Sequence, residues 1–528
     1  MISRYFRRLL LPAFLTQFAV AVQGQSSMQR AVETLGGYFE LLVTGNLESA
    51  EQMWTQAAIE RSRRFGINYE GIPLKVDCVS PVVNRFDVMK HHLQPPAKHV
   101  TELAQDFLRL HYSAVVAGGQ VEHYYYVQFD GNYFWLTFPQ EYYAREWDTV
   151  TSRYFRIHAH QAVRPLLGRV VLDEADLFVQ RLADSLELTR SDLDMIEQDK
   201  IEFFYCDSEE TVSKITGVRT KGTLDLASND IISSFFPHFH EVVHLLVNIK
   251  LRNLPLYTHP LLCEGAAVHY GGRWGKAPTA LMELGAFLLS EGIVELDSLL
   301  TVRGFDSQAT SDVAYPVAGL FSTFLLDELK PRKYWELYRT LSGSMDEVRA
   351  LSDTAVRKEL VMAAREYGWE ALRRSFDEFV KRQSVRNTVI APGASGRTRL
   401  IVQGDGFVVS DDGDWLVFEF SSSTSSLPAG NLLFGRDSRF DGVTAMFLEQ
   451  YGAGRQQETF RYGVRFDSVE AGLYDYATNQ LVAKYILGIT PSEDYYDPDH
   501  NKITFRLRKS LMGELLPSDG DCKLIPLR

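Results

Sequence analysis

The sequence predicts an α+β chain made of three globular parts, and three observations predict it. At 528 residues the chain is too long for one hydrophobic core. Strand-like segments lead into a strongly apolar helix near residue 240, with further helical periodicity to about residue 383. Beyond Pro392 the pattern changes to short alternating strands with frequent Gly, Asp and Ser. The 45% hydrophobic and 23% charged content is that of an ordinary globular protein, which excludes a disordered or fibrous chain.

The first element, residues 1–24, reads as an export signal. Arg4, Arg7 and Arg8 form a positive start, Leu9 to Val22 an apolar run, and Ala19-Val20-Ala21 or Val22-Gln23-Gly24 a small-residue cleavage site. The run is too short to span a bilayer comfortably, although an uncleaved anchor is the alternative. No later stretch is apolar enough to cross, so the expected product is secreted or periplasmic, with no transmembrane segment after signal cleavage. The four cysteines, Cys78, Cys206, Cys263 and Cys522, show no metal or redox spacing and are expected to be mostly buried thiols. A net charge of −13 without a basic stripe excludes nucleic acid as the expected partner.

Residues 25–150 form the expected N-terminal α+β domain. Met28–Leu42 and Leu47–Phe65 carry helical periodicity, and a helix is expected near Val100–Leu108. Strands are expected at His111–Ala117, Val121–Phe129 and Tyr133–Phe138, the last two joined through Asp130-Gly131-Asn132. Helices followed by an antiparallel meander resemble the cone-shaped nuclear transport factor 2 fold. Residues 151–388 form the middle domain: a helix at Leu172–Leu188, a strand at Lys200–Cys206, an edge-like strand at Lys221–Ala227, and helices at Thr279–Ser290, Val317–Leu329, Tyr334–Leu341 and Thr354–Gln383. His158 and His160 alternate on a strand, lack a nearby third ligand and read as a polar strand face. Ala391–Gly396 reads as a linker. Residues 389–528 form a β-rich, sandwich-like domain, with strands at Trp415–Phe420, Thr459–Phe466, Ala471–Tyr476, Leu481–Ile486 and Lys502–Leu507. Asp497–Asn501 reads as a solvated turn.

The chemistry concentrates in His240-Glu241-Val242-Val243-His244. Residues four apart share a helix face, so both imidazoles reach one metal ion, while Glu241 lies about 100° further round, beside a metal-bound water. Zinc lowers the pKa of such a water to about 7, and a neighbouring carboxylate takes the proton. Val242, Val243, Leu245, Leu246 and Ile249 make the helix apolar, so its few polar groups need partners. The alternative, two core histidines donating to carbonyls, leaves Glu241 unexplained. A catalytic zinc takes three protein ligands plus water. The third candidate is Glu264, 20 positions beyond His244, after a turn-like segment from Asn253 to Pro260. Gly265, Ala266 and Ala267 would let its helix approach the first closely.

The HExxH helix with a following Glu resembles the gluzincin metallopeptidases, the group containing thermolysin and the aminopeptidase N type. The resemblance implies a single Zn²⁺ held by His240, His244 and Glu264, with Glu241 as general base and a peptide or protein substrate. It implies that the strand at Lys221–Ala227 forms the cleft rim, although an ordinary sheet edge looks the same. The segment Tyr315-Pro316-Val317-Ala318-Gly319 resembles the one whose tyrosine stabilises the oxyanion, which makes Tyr315 the candidate for that role against a core tyrosine. The glycine stands one residue later than in the aminopeptidase pattern.

Two departures narrow the reading. Where thermolysin has an aspartate that orients a histidine ligand, this chain has Val268, leaving Asn248 or Asp312 as candidate orienting groups. No Gly-Ala-Met-Glu-Asn segment precedes the helix, which favours an endopeptidase over an aminopeptidase. His238 and His269 read as cleft-lining or core histidines, and Cys263 as a much weaker ligand candidate than Glu264. The competing functions are a non-catalytic surface or periplasmic binding protein on a peptidase scaffold, and a zinc amidase acting on a non-protein substrate.

Overall fold

In the computed structural model the described residues are 26–94, 100–116, 119–273, 278–290, 292, 294–307, 311–365, 368–383, 399–421, 430–436, 460–466, 470–475, 480–486, 495–497, 502–512, 516–518 and 522–526. The expected signal segment, the linker at Ala391–Gly396 and most of the Asp497–Asn501 turn lie outside them. The fold mixes α and β. It divides into two compact units. One holds the residues up to Thr149 with Arg156–His160 and Met195–Ser234; the other holds Val150–Phe155, Gln161–Asp194 and everything from Phe235 onward.

In the first unit, helix α1 (Ser27–Val43) starts where the Ser26 hydroxyl accepts from the Gln29 N–H at 3.2 Å, and it buries Leu35, Tyr38, Phe39 and Leu42. The periodicity expected through Leu47–Phe65 is broken: after a short turn of helix, Thr55 caps a separate helix α2 (Gln56–Arg63). An antiparallel sheet follows, β1 (Val100–Ala104), β2 (Phe107–Val116), β3 (Gly119–Phe129) and β4 (Phe134–Thr137), in sequential order. The helix expected near Val100–Leu108 is therefore two strands. Val100 pairs with Leu110 and Glu102 with Leu108 across the turn, so sheet pairing overrides local helix propensity. The Asp130 carboxylate accepts from the Asn132 and Tyr133 N–H groups, each at 2.8 Å, and closes the β3–β4 hairpin as expected. Inside the unit, Tyr38 and Tyr125 donate to one Asp77 oxygen at 2.8 and 2.9 Å. Burial pushes the Asp77 carboxyl up to about 7 despite these bonds.

A second sheet runs in the order β5 (Asp148–Thr151), β6 (Phe155–Ala159), β7 (Ile201–Tyr205), β9 (Asp230–Ser233) and β8 (Gly222–Asp225). β9 runs parallel to β7 and antiparallel to β8, which is an edge strand. His158 meets Glu202 at 2.6 Å on this sheet and stacks on Phe204, the polar strand face expected of it. Within the same unit, buried Asp230 pairs with Arg61 and Arg64, and Glu202 with Arg156 and Arg64. Lys75 donates to the Leu226 carbonyl at 2.8 Å and to Asn229 at 3.2 Å.

The second unit is helical and then all β. Its helices are α3 (Arg169–Ser185), α4 (Phe239–Leu251), α5 (Pro260–Gly271), α6 (Pro278–Ser290), α7 (Ser311–Thr340), α8 (Asp353–Ala364) and α9 (Trp369–Gln383). The helices expected at 317–329 and 334–341 are joined in α7, which is kinked at Lys330 before Pro331. The helix expected over 354–383 is instead two, because Arg365 (φ 57°) and Gly368 (φ 146°) leave helical space. Beyond them lie two antiparallel five-stranded sheets. One contains β10 (Arg399–Gly404), β11 (Phe407–Asp412), β12 (Trp415–Ser421), β17 (Tyr495–Asp497) and β18 (Lys502–Arg508). The other contains β13 (Gly430–Arg436), β14 (Phe460–Phe466), β15 (Glu470–Asp475), β16 (Gln480–Ile486) and β19 (Lys523–Pro526). Phe418, Phe420 and Phe505 of the first and Leu432, Phe434 and Phe466 of the second share one apolar core. Among the described residues, no helix is long and apolar enough to cross a membrane.

Candidate metal centre

α4 is walled by Val242, Val243, Leu245, Leu246 and Ile249, each at most 1% exposed, so the polar residues on it sit in an apolar setting. α5 begins at Pro260, a residue suited to the first helical turn, after His259, whose ring accepts from the Leu261 N–H at 3.3 Å. It ends at Gly271, and Gly272 follows at φ 69° and ψ −158°, a conformation essentially reserved for glycine.

The close approach of the two helices is made by a residue the sequence reading passed over. A Cβ on Gly271 would meet the Phe239 carbonyl oxygen of α4 at 2.7 Å. Gly265, expected to face α4, instead faces α7, where a Cβ would meet the Ser322 Oγ at 2.2 Å and the Ala318 carbonyl oxygen at 2.5 Å. Gly319, the glycine after Tyr315, allows Val268 of α5 to pack into α7. Val268 is thus a core residue, and the glycines bring Tyr315 toward the residues on α4 and α5.

His240, His244 and Glu264 converge: one ligand atom from each lies within 4.8 Å of the others. His240 Nε2 is 3.0 Å and His244 Nε2 3.5 Å from the same Glu264 oxygen. His240 Nδ1 is 2.9 Å from the Gly272 carbonyl oxygen, which can only accept. In a neutral ring the proton therefore sits on Nδ1 and the Nε2 lone pair faces a carboxylate. Two acceptors aimed at one another call for a shared cation. Two imidazoles and a carboxylate, with the far nitrogen of one ring held by a carbonyl, are a donor set that fits zinc.

On His240 the group in the orienting place is the Gly272 main chain; the Asp312 side chain lies outside the described residues. On the other ligand, His244 Nδ1 stands 3.7 Å from Cys263 Sγ. Cys263 therefore neighbours the site from behind His244, and its hydrogen-bonded neighbour Tyr338 is buried. Burial works to raise the Glu264 carboxyl, but His244 and His240 beside it hold it well below the usual carboxylate range. Burial works to lower His244, and Cys263 and Glu264 hold it well above the ordinary imidazole value instead.

Glu241 is 8% exposed and stands outside the convergent trio, with His238 Nε2 3.8 Å from its Oε1. Tyr315 is half-buried, its ring centroid 6.0 Å from that of His240. Burial and the nearby Glu264 carboxylate push its phenol well above the ordinary value. His269 turns elsewhere: its Nδ1 is 2.8 Å from the Thr323 hydroxyl. Arg273, which the sequence reading did not single out, has Nη1 3.9 Å from Glu264 and its guanidinium carbon 3.3 Å from the Tyr315 ring centroid. The one signal for it was a cation directly after the Gly271-Gly272 pair that closes the ligand helix. The four cysteines are free thiols, with Cys78 and Cys206 buried. The chain matches no protein-family model and no curated protein sequence.

Proposed function

We propose that this chain is an exported, zinc-dependent metallopeptidase of gluzincin type, acting on peptides or proteins and favouring internal bonds. The observation that carries the reading is the convergence of His240, His244 and Glu264, with the far nitrogen of His240 anchored on the Gly272 carbonyl. These three residues would hold the ion, which when bound supplies a water acidic enough to ionise near neutrality and a Lewis acid for the carbonyl. Glu241 accepts the proton of the attacking water and returns it to the leaving amine. Its surroundings on α4, apolar and water-poor, favour that transfer. The α1-and-meander region supports a nuclear transport factor 2-like N-terminal domain over residues 25–150. The shared core of the two C-terminal sheets supports a sandwich-like domain over 389–528, and the peptidase reading rests on α4, α5 and α7 of the second unit.

The test is digestion of a denatured-protein peptide library by wild type and Glu241→Gln, read by mass spectrometry, alongside metal analysis of both. Wild type should contain one zinc and cleave within chains, whereas Glu241→Gln should keep zinc and lose cleavage. Protein without stoichiometric zinc would instead favour a binding protein on a peptidase scaffold. Zinc-loaded protein inert on peptides would favour an amidase on another substrate.

A further inference from the structure

We propose that Arg273 is a catalytic residue of this centre, its guanidinium receiving the negative charge that builds on the substrate oxygen as the amide carbonyl is attacked. The inference rests on the metallopeptidase reading and departs from it at one point. There the resemblance assigns oxyanion stabilisation to a tyrosine hydroxyl, whereas here the tyrosine ring is the support for a cation.

Position is the first argument. Arg273 Nη1 lies 3.9 Å from the ligand oxygen of Glu264, so its charge is placed at the centre itself and not at a remote subsite. The second argument is fixation. The guanidinium carbon lies over the Tyr315 ring, 3.3 Å from its centroid, a cation–π contact, and the side chain is 18% exposed. A guanidinium carries its N–H donors in a planar fork that matches an oxyanion, and here the group is also hydrogen-bonded to the Tyr315 side chain. A cation held in place before the reaction needs no reorganisation when charge appears, and partial burial strengthens its field. The third argument is charge balance. Once Glu241 has taken the water's proton, Glu264, the guanidinium and a bound divalent ion would together carry two positive charges, against which the single charge of the oxyanion is set. A phenol supplies only a dipole for the same task, and bonds to an ionised donor are roughly twice as strong.

The step balances without another reactant. The water oxygen bonds to the carbonyl carbon, its proton passes to Glu241, and the carbonyl π pair moves to the oxygen facing Arg273. On collapse the C–N bond breaks, and the proton on Glu241 goes to the departing nitrogen, yielding a carboxylic acid and an amine.

The experiment compares zinc-loaded wild type, Arg273→Lys, Arg273→Gln and Tyr315→Phe on the best-cleaved library peptide. It also measures affinity for the phosphinic analogue of that peptide, a tetrahedral anion, and for the intact peptide in a Glu241→Gln background. Arg273→Gln should keep one zinc and lower kcat by roughly 100- to 1,000-fold, with KM within about threefold of wild type. It should weaken phosphinate binding in parallel with kcat and leave intact-peptide binding within about threefold. Arg273→Lys should retain part of the activity, and Tyr315→Phe should lose less than Arg273→Gln. Should Arg273→Gln fold poorly or lose zinc, Arg273→Lys carries the same comparison. Equal weakening of phosphinate and intact peptide, a rise in KM at unchanged kcat, or a larger loss in Tyr315→Phe would overturn the assignment. A wild type that holds zinc and cleaves while Arg273→Gln matches it refutes this inference alone. A wild type that neither holds zinc nor cleaves removes the metallopeptidase reading and this inference with it.

Discussion

His240 faces Glu264 at Nε2 and is held by the Gly272 carbonyl at Nδ1, and the second contact was the harder one to foresee. The pairing of His240 with His244 was legible because helix geometry puts residues four apart on one face. The Gly272 contact joins residues 32 positions apart through a main-chain oxygen, and no side-chain pattern encodes it. Gly272 is predicted to matter as much as a side-chain orienting group. Gly272→Ala forces the residue away from φ 69°, turns its carbonyl and should lower zinc affinity about 10- to 100-fold, measured by chelator competition. Unchanged affinity would show that the carbonyl does not orient the ligand.

Among the elements, α5 is the one on which the candidate site depends most. It carries Glu264, packs on α4 through Gly271 and on α7 through Gly265. Gly265→Ala drives a methyl into Ser322 and Ala318, so α5 and α7 must part; the expected loss is about 2–3 kcal/mol in denaturant unfolding. The sequence showed that small residues were needed there, but the contact partner depends on helix order in space. The cap of α5 carries a pH dependence. Burial lowers His259 to about 4, below its ordinary value, so the unfolded chain takes the proton first. The stabilisation is complete above pH 6.5 and is lost as pH falls toward 4, by up to about 3 kcal/mol. His259→Asn keeps a capping acceptor and should flatten that acid limb in melting curves recorded from pH 7 to 4.

On the scale of the molecule, the element types were largely readable and their grouping was not. The alternating C-terminal strands show themselves through period two, although β10, β11, β13 and β19 passed unnoticed in segments rich in Gly and charge. Residues 195–234, expected with the middle of the chain, form a compact unit with the N-terminal residues. Ion pairs such as Arg64 with Asp230 span 166 positions, a relation that periodicity cannot register. Removing one partner strands the buried charges of the others. Asp230→Ala should therefore cost about 3–5 kcal/mol and expose the N-terminal unit to protease before the rest of the chain. Co-unfolding of the whole chain at the wild-type midpoint would contradict that.

The main-chain anchor of His240 sets how the candidate centre responds to acid and to oxidants. An aspartate in the orienting place would gain a proton near pH 4 and release its histidine, and a thiol there would be open to oxidation. A peptide carbonyl does neither. The orientation of the ring therefore outlasts conditions that would dismantle a side-chain support.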